Sequence, residues 1–239
     1  RFAVSFLGCR ANEVEADALR SALIELGGRE VPAGRPADVT VLNTCAVTGD
    51  AQAQSRKALR RAHRGSPRGL LIATGCAAQL DPRWLAHLPG VDLVVGNRGK
   101  DRLGAILQAY MAASSMGPQR STARRERLAD ALRAAGLAAA DAPHPQVPPS
   151  GAPTGRRRRS SGAELPSRGS GAALIQWDAD PTPHQVTGRA GPIPHSRTRA
   201  TIKIQDGCPF RCTFCIVSRL RGRPTSRDPE DVRAEARRL

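Results

Sequence analysis

Short apolar runs recur along the first hundred residues, and a cysteine follows three of them directly. The runs are FAVSFL (2–7), VTVL (39–42), LLIAT (70–74) and VDLVV (91–95). The first ends in Gly8-Cys9, the second in Asn43-Thr44-Cys45 and the third in Gly75-Cys76. Each run is continuously apolar, without the polar alternation of a half-exposed strand. That pattern, with helices between the runs, predicts an α/β fold with an open parallel sheet covered on both faces.

The segments between the runs read as helices. Asn12 with Glu15 three residues on has the form of a capping box, for a helix reaching about Leu26. A basic helix is expected from about Ala51 to His63, ended by Gly65-Ser66-Pro67. Asp81-Pro82 reads as an N-cap and first helical position, opening a short helix through Leu88. A further helix is expected from Asp101 to about Met111.

Residues 113–195 differ in character. They hold more than half of the nineteen prolines, much Gly and Ser, and the run Arg156-Arg157-Arg158-Arg159. Only 122–140 carries a weak helical pattern. The stretch is expected to be a disordered linker or insert, with the arginine run either a solvated linker charge or an RNA contact. Order is expected to return near Ser196, with ATIKIQ (200–205) as a new strand ending at Asp206-Gly207-Cys208. This divides the chain into 1–112, 113–195 and 196–239.

The 37 Lys and Arg exceed the 21 Asp and Glu, for a net charge of +16. Each of the three segments is positive. A polyanionic partner such as nucleic acid fits this balance, and so does a plain compositional bias toward arginine. No run of about 18 apolar residues occurs, so no membrane-spanning helix is expected. No secretory signal opens the chain, so a cytoplasmic location is expected and metal binding is favoured over disulfides for the six cysteines.

Strand ends in a parallel sheet share one edge, where ligands bind. Cys9, Cys45 and Cys76 can therefore converge although about thirty residues separate each from the next. Three thiolates suit an iron–sulfur cluster or zinc. No histidine stands at these strand ends to close a four-ligand zinc site. A three-cysteine set would leave one iron of a [4Fe-4S] cluster open for chemistry. The second set is Cys208, Cys212 and Cys215 in the spacing CxxxCxxC, on a loop after a strand. It too would hold a cluster by three thiolates. The competing zinc ribbon needs further Cys or His downstream, and the sequence to Leu239 has none.

CxxxCxxC with Phe214 before its last cysteine resembles the signature of radical S-adenosylmethionine enzymes. With both cysteine sets the chain resembles the radical methylthiotransferases. The residues carrying this are Leu7-Gly8-Cys9-Arg10-Ala11-Asn12 with Glu15, Asn43-Thr44-Cys45-Ala46-Val47-Thr48 and Thr74-Gly75-Cys76-Ala77-Ala78-Gln79. Gly90–Gly96, Arg197–Ala200 and Gly207–Arg227 continue the match, while Ser218 stands where the family usually has Pro.

The resemblance implies a set of expectations. Cys9, Cys45 and Cys76 would hold an auxiliary [4Fe-4S] cluster associated with the inserted sulfur. Cys208, Cys212 and Cys215 would hold the cluster that cleaves S-adenosyl-L-methionine to a 5′-deoxyadenosyl radical, with Phe214 against the adenine. Beyond the cluster ligands no catalytic residue is assigned. NTCAVT, SRKALRR, TGCAAQ and SRTRATIKIQDGC look most like the branch acting on threonylcarbamoyladenosine in tRNA. The isopentenyladenosine and ribosomal-protein branches, and a non-catalytic cluster- or zinc-binding RNA-binding fragment, are the alternatives. The partners implied are the tRNA anticodon stem–loop and an electron donor such as flavodoxin or ferredoxin. The chain opens in a strand at Arg1 and breaks off in a helix, after only the first strand and helix of a (β/α) barrel. It is therefore expected to be an N-terminal fragment, inactive alone.

Overall fold

The computed structural model describes residues 1–113, 121–137, 173–176, 178 and 200–239. Five parallel strands form one sheet in the order β1 (Phe2–Phe6), β2 (Val39–Thr44), β3 (Leu70–Gly75), β4 (Leu93–Val95) and β5 (Leu174–Gln176). Alternate side chains enter two cores. Val41, Ile72 and Val95 face one side, packed with α1 (Arg10–Glu25), α5 (Leu103–Ala113) and α6 (Ser121–Ala134). Leu42, Ala73 and Val94 face the other, packed with α2 (Gly49–Gly65), α3 (Cys76–Leu80) and α4 (Pro82–Ala86). Burial on both faces is what makes the strands apolar without alternation.

The Asp81 cap is present: its carboxylate accepts from the Trp84 amide at 2.9 Å, with Pro82 in the first turn of α4. The Asn12 capping box is not. Cys9 occupies the N-cap of α1 and makes no side-chain cap. Asn12 is instead fully buried and donates to the carbonyls of Leu7 (2.7 Å) and Thr44 (3.0 Å). The helix starts three residues earlier than an Asn12 cap would set, and Asn12 holds two strand ends instead. A 3-10 turn (Asn97–Arg102) precedes α5.

Two ordered pieces of the stretch expected to be linker belong to this domain. Leu128 and Leu132 of α6 are core residues at 1% and 0% exposure. Arg124 pins α6 to the sheet, donating to Asp92 at 3.2 Å and to the Arg68 carbonyl at 2.6 Å. β5 extends the sheet by pairing with β4. Three residues, Leu174-Ile175-Gln176, within a proline-rich stretch carry too little local pattern to announce a strand. The Arg156–Arg159 run and Arg197–Arg199 lie outside the described residues.

In the C-terminal part, β6 (Gln205–Asp206) pairs antiparallel with β7 (Thr225–Ser226), and α7 (Val217–Arg221) and α8 (Pro229–Arg238) complete it. The strand expected over 200–205 is reduced to its end. Among the described residues, no neighbouring strand ladders with 201–204, and the Ile204 carbonyl is taken by the Arg227 amide. No described helix is long and apolar enough to cross a membrane.

Candidate metal centre

Because β1, β2 and β3 run parallel, the residues that follow them meet at one edge of the sheet. Cys9 caps α1 and is exposed, while Cys45 follows β2 and Cys76 opens α3, both buried. Two glycines at positive φ let the backbone close up there. A Cβ on Gly8 (φ +93°) would stand 2.5 Å from the Cys45 Sγ, and one on Gly75 (φ +96°) 2.3 Å from the Asn43 Oδ1. The edge is stitched by Thr44, whose hydroxyl donates to the Thr74 carbonyl at 2.6 Å. Below it Ser55, fully buried, accepts from the Cys45 amide at 3.2 Å.

The second set lies on the loop between β6 and α7. The Cys208 amide donates to the Gly222 carbonyl (3.1 Å) and the Cys215 amide to the Cys212 carbonyl (3.1 Å). Cys208 and Cys215 are half-buried and Cys212 is exposed. Phe210 and Phe214 stand out into solvent, at 70% and 91% exposure. The loop is thus closed at its base and open on its face.

Residues that the sequence did not single out as a site join the two regions. Glu15 of α1, 1% exposed, accepts from Lys100 (2.5 Å), Lys203 (2.6 Å) and Arg221 (2.7 Å). Asp206 accepts from Lys203 (2.6 Å) and Arg221 (2.9 Å). Arg221 also donates to the Asn12 Oδ1 at 2.7 Å, and Asn43 donates to Glu15 at 3.0 Å. The Asn97 side-chain amide reaches the Leu220 carbonyl at 2.5 Å. The only local signal of this cluster was charge inside apolar segments, as with Lys203 in ATIKIQ.

Burial alone would raise the Glu15 pKa, but Lys100, Arg221 and Lys203 outweigh it and hold the carboxyl well below its usual range. Asp206 is lowered too, Arg221 and Lys203 overcoming its burial. Because the folded value of Glu15 is depressed, its stabilisation is complete above the unfolded value of about 4.3 and is lost progressively as pH falls from there through the folded one. The Cys76 thiol is pushed up by burial, against the pull of Arg221 and Lys100.

Residues 1–96 match the family described as "Uncharacterized protein family UPF0004", and residues 202–239 match the Radical SAM superfamily. A threonylcarbamoyladenosine tRNA methylthiotransferase of Bacillus subtilis is 30% identical over 233 residues, 98% of this chain and 39% of the relative. Its Aquifex aeolicus counterpart is 43% identical over 111 residues, 46% of this chain and 27% of the relative. Over nearly its whole length the chain is thus similar to radical S-adenosylmethionine methylthiotransferases. A ribosomal protein uS12 methylthiotransferase of Roseiflexus sp. is also similar, 28% identical over 240 residues, 100% of this chain and 43% of the relative. The chain therefore spans about two fifths of the length of the first and third of these relatives, and less of the second.

The cysteines fit a cluster by chemistry, being soft donors and nothing else. Thr74 adds a buried hydroxyl with no partner among the described residues, one position before Gly75-Cys76. The Cys45 and Cys76 side chains are near enough for charge on one to act on the other. Among the described residues, however, no three Cys, His, Asp or Glu side chains stand at metal-holding distance. The fold brings the two sets of donors to their edge and loop, short of the spacing of a filled site.

Proposed function

We propose that the protein is a tRNA methylthiotransferase that adds a methylthio group to threonylcarbamoyladenosine next to the anticodon. The observation that carries this is the pairing of a three-cysteine strand edge with a CxxxCxxC loop in one chain. The similarity to the Bacillus subtilis and Aquifex aeolicus enzymes supports the choice of nucleoside. In this reading Cys9, Cys45 and Cys76 hold an auxiliary [4Fe-4S] cluster, and Cys208, Cys212 and Cys215 hold a second. When bound, the second cluster supplies the electron that breaks S-adenosyl-L-methionine. The chain's own part is to hold each cluster by three thiolates, to offer Phe214 as a flat apolar face for adenine, and to bind RNA. An electron donor such as flavodoxin or ferredoxin completes the set of partners.

Similarity to the Roseiflexus protein favours a second reading, a ribosomal-protein methylthiotransferase. Mass spectrometry separates the two. A deletion strain should lose methylthio-threonylcarbamoyladenosine from its tRNA nucleosides. Unchanged tRNA with an altered mass of a ribosomal protein would move the assignment to the second reading.

The exposed face of α2 gives a prediction about the RNA. Arg56, Lys57, Arg60, Arg61 and Arg64 are all exposed there, and Arg56 lies over the Trp84 ring at 5.3 Å. Spacing of three to four residues sets them along one side of the helix. Their reading is a phosphate-contacting face for the anticodon stem–loop, giving salt-dependent affinity with little sequence preference. Changing Arg56, Arg60 and Arg61 together to Gln in the intact protein should weaken tRNA binding. The slope of log affinity against log salt should flatten by up to about 3, at roughly 0.9 per phosphate contact. An unchanged slope would make α2 an ordinary solvated surface.

A further inference from the structure

We infer that Glu15 is a positioning residue, the hub of a buried latch that fixes the CxxxCxxC loop against the three-cysteine edge of the sheet. The inference rests on the two-cluster reading for its purpose, but its geometry stands without iron. Glu15 sits on the helix that Cys9 caps. Asn43, which donates to it, precedes Cys45 by two residues. On the other side, Asp206 precedes Cys208 by two residues, and Arg221 closes the helix that follows Cys215. The bonds from Lys203 and Arg221 onto Glu15, and from Arg221 onto Asn12, therefore join the root of one cysteine set to the root of the other, and the bonds onto Asp206 brace the C-terminal root. Lys100, from the turn after β4, anchors the hub to the sheet.

The chemistry argues for placement over bulk stability. Five charged side chains share this site, each at 10% side-chain exposure or less. Desolvating them costs much of what their attraction returns, and apolar residues of like volume commonly do as well. An apolar contact would, however, let the loop slide. Directional bonds from three cations onto one carboxylate, and from two of those cations onto a second, permit one arrangement. The Asn97 bond to the Leu220 carbonyl and the burial of Leu220 at 2% hold the same helix, so the latch sets orientation on a surface already attached.

The test uses Glu15→Gln in the intact protein, which keeps the volume and removes the charge. Hydrogen exchange on the iron-free protein should speed up on the order of 100-fold at 203–221, with β1–β4 as protected as before. Lys203→Met removes one of the cross-bonds from its C-terminal side, leaves every residue of the sheet domain in place and should give the same pattern, which decides the matter if Glu15→Gln does not fold. Adding Lys100→Met to Glu15→Gln restores the net charge of the cluster but not the hub, and should leave the fast exchange uncorrected. After reconstitution, the electron-spin relaxation coupling between the two reduced clusters should change in Lys203→Met at unchanged iron content. Exchange at 203–221 within twofold of the parent in Lys203→Met, or acceleration spread evenly over β1–β4, would overturn the latch. Correction by Lys100→Met would do the same, making net charge the operative quantity. An intact parent that binds no second cluster would instead overturn the two-cluster reading, leaving the exchange result to judge the latch.

Discussion

Cys45→Ala should halve the iron of the reconstituted protein, from about eight atoms per chain to about four. Cys45 is buried at the end of β2, its Sγ against Gly8, the residue before Cys9. In the proposed reading, removing one of three thiolates would leave the auxiliary cluster two protein ligands, too few to retain it. The three cysteines on the loop between β6 and α7 belong to a separate segment and keep their full donor set. The mirror change, Cys212→Ala, should also leave about four irons while abolishing cleavage of S-adenosyl-L-methionine, because in the proposed reading the loop cluster is the one that breaks it. Anaerobic reconstitution of the intact protein with iron and sulfide, followed by iron assay and absorbance near about 400 nm, measures both. Stoichiometric zinc with no such absorbance would replace the cluster reading with a structural metal site.

Gly75→Ala should be the most damaging single methyl in the sheet domain. Its backbone, at φ +96° and ψ −163°, lies in a region nearly closed to any residue with a Cβ. The new Cβ would fall 2.4 Å from the Thr44 carbonyl oxygen and 2.7 Å from the Thr44 nitrogen, which are strand backbone and cannot swing aside. Strain and overpacking together are expected to cost about 3 kcal/mol or more. For a chain of this size that lowers the melting temperature by roughly 6–12 °C. The backbone that must move carries Thr44 and Cys76, so cluster retention should fall with stability. Gly49→Ala is the control: it lies in the first turn of α2 with nothing within 4 Å of its added methyl. Thermal melts of the two variants against the parent test the contrast, and equal melting temperatures would refute it.

The sheet and its cysteine edge were legible because both are local properties of the chain. A continuous apolar run says that a strand is buried on two faces, and a cysteine just past its end goes wherever strand ends go. The spacing Cys208–Cys212–Cys215 is likewise a property of eight consecutive residues. Asn12 and Glu15 were legible as residues and misread as a role. Their spacing matched a helix cap, but a capping box asks only for local partners. In the folded chain Glu15 meets Arg221, 206 residues away, at 2.7 Å. β5 was hidden for the same reason: three residues in a proline-rich stretch become a strand only when β4 offers them a ladder. Periodicity and spacing are written along the sequence. Which buried carboxylate meets which cations is decided by packing, since each charge must find its partner among whatever segments the sheet and helices bring within reach.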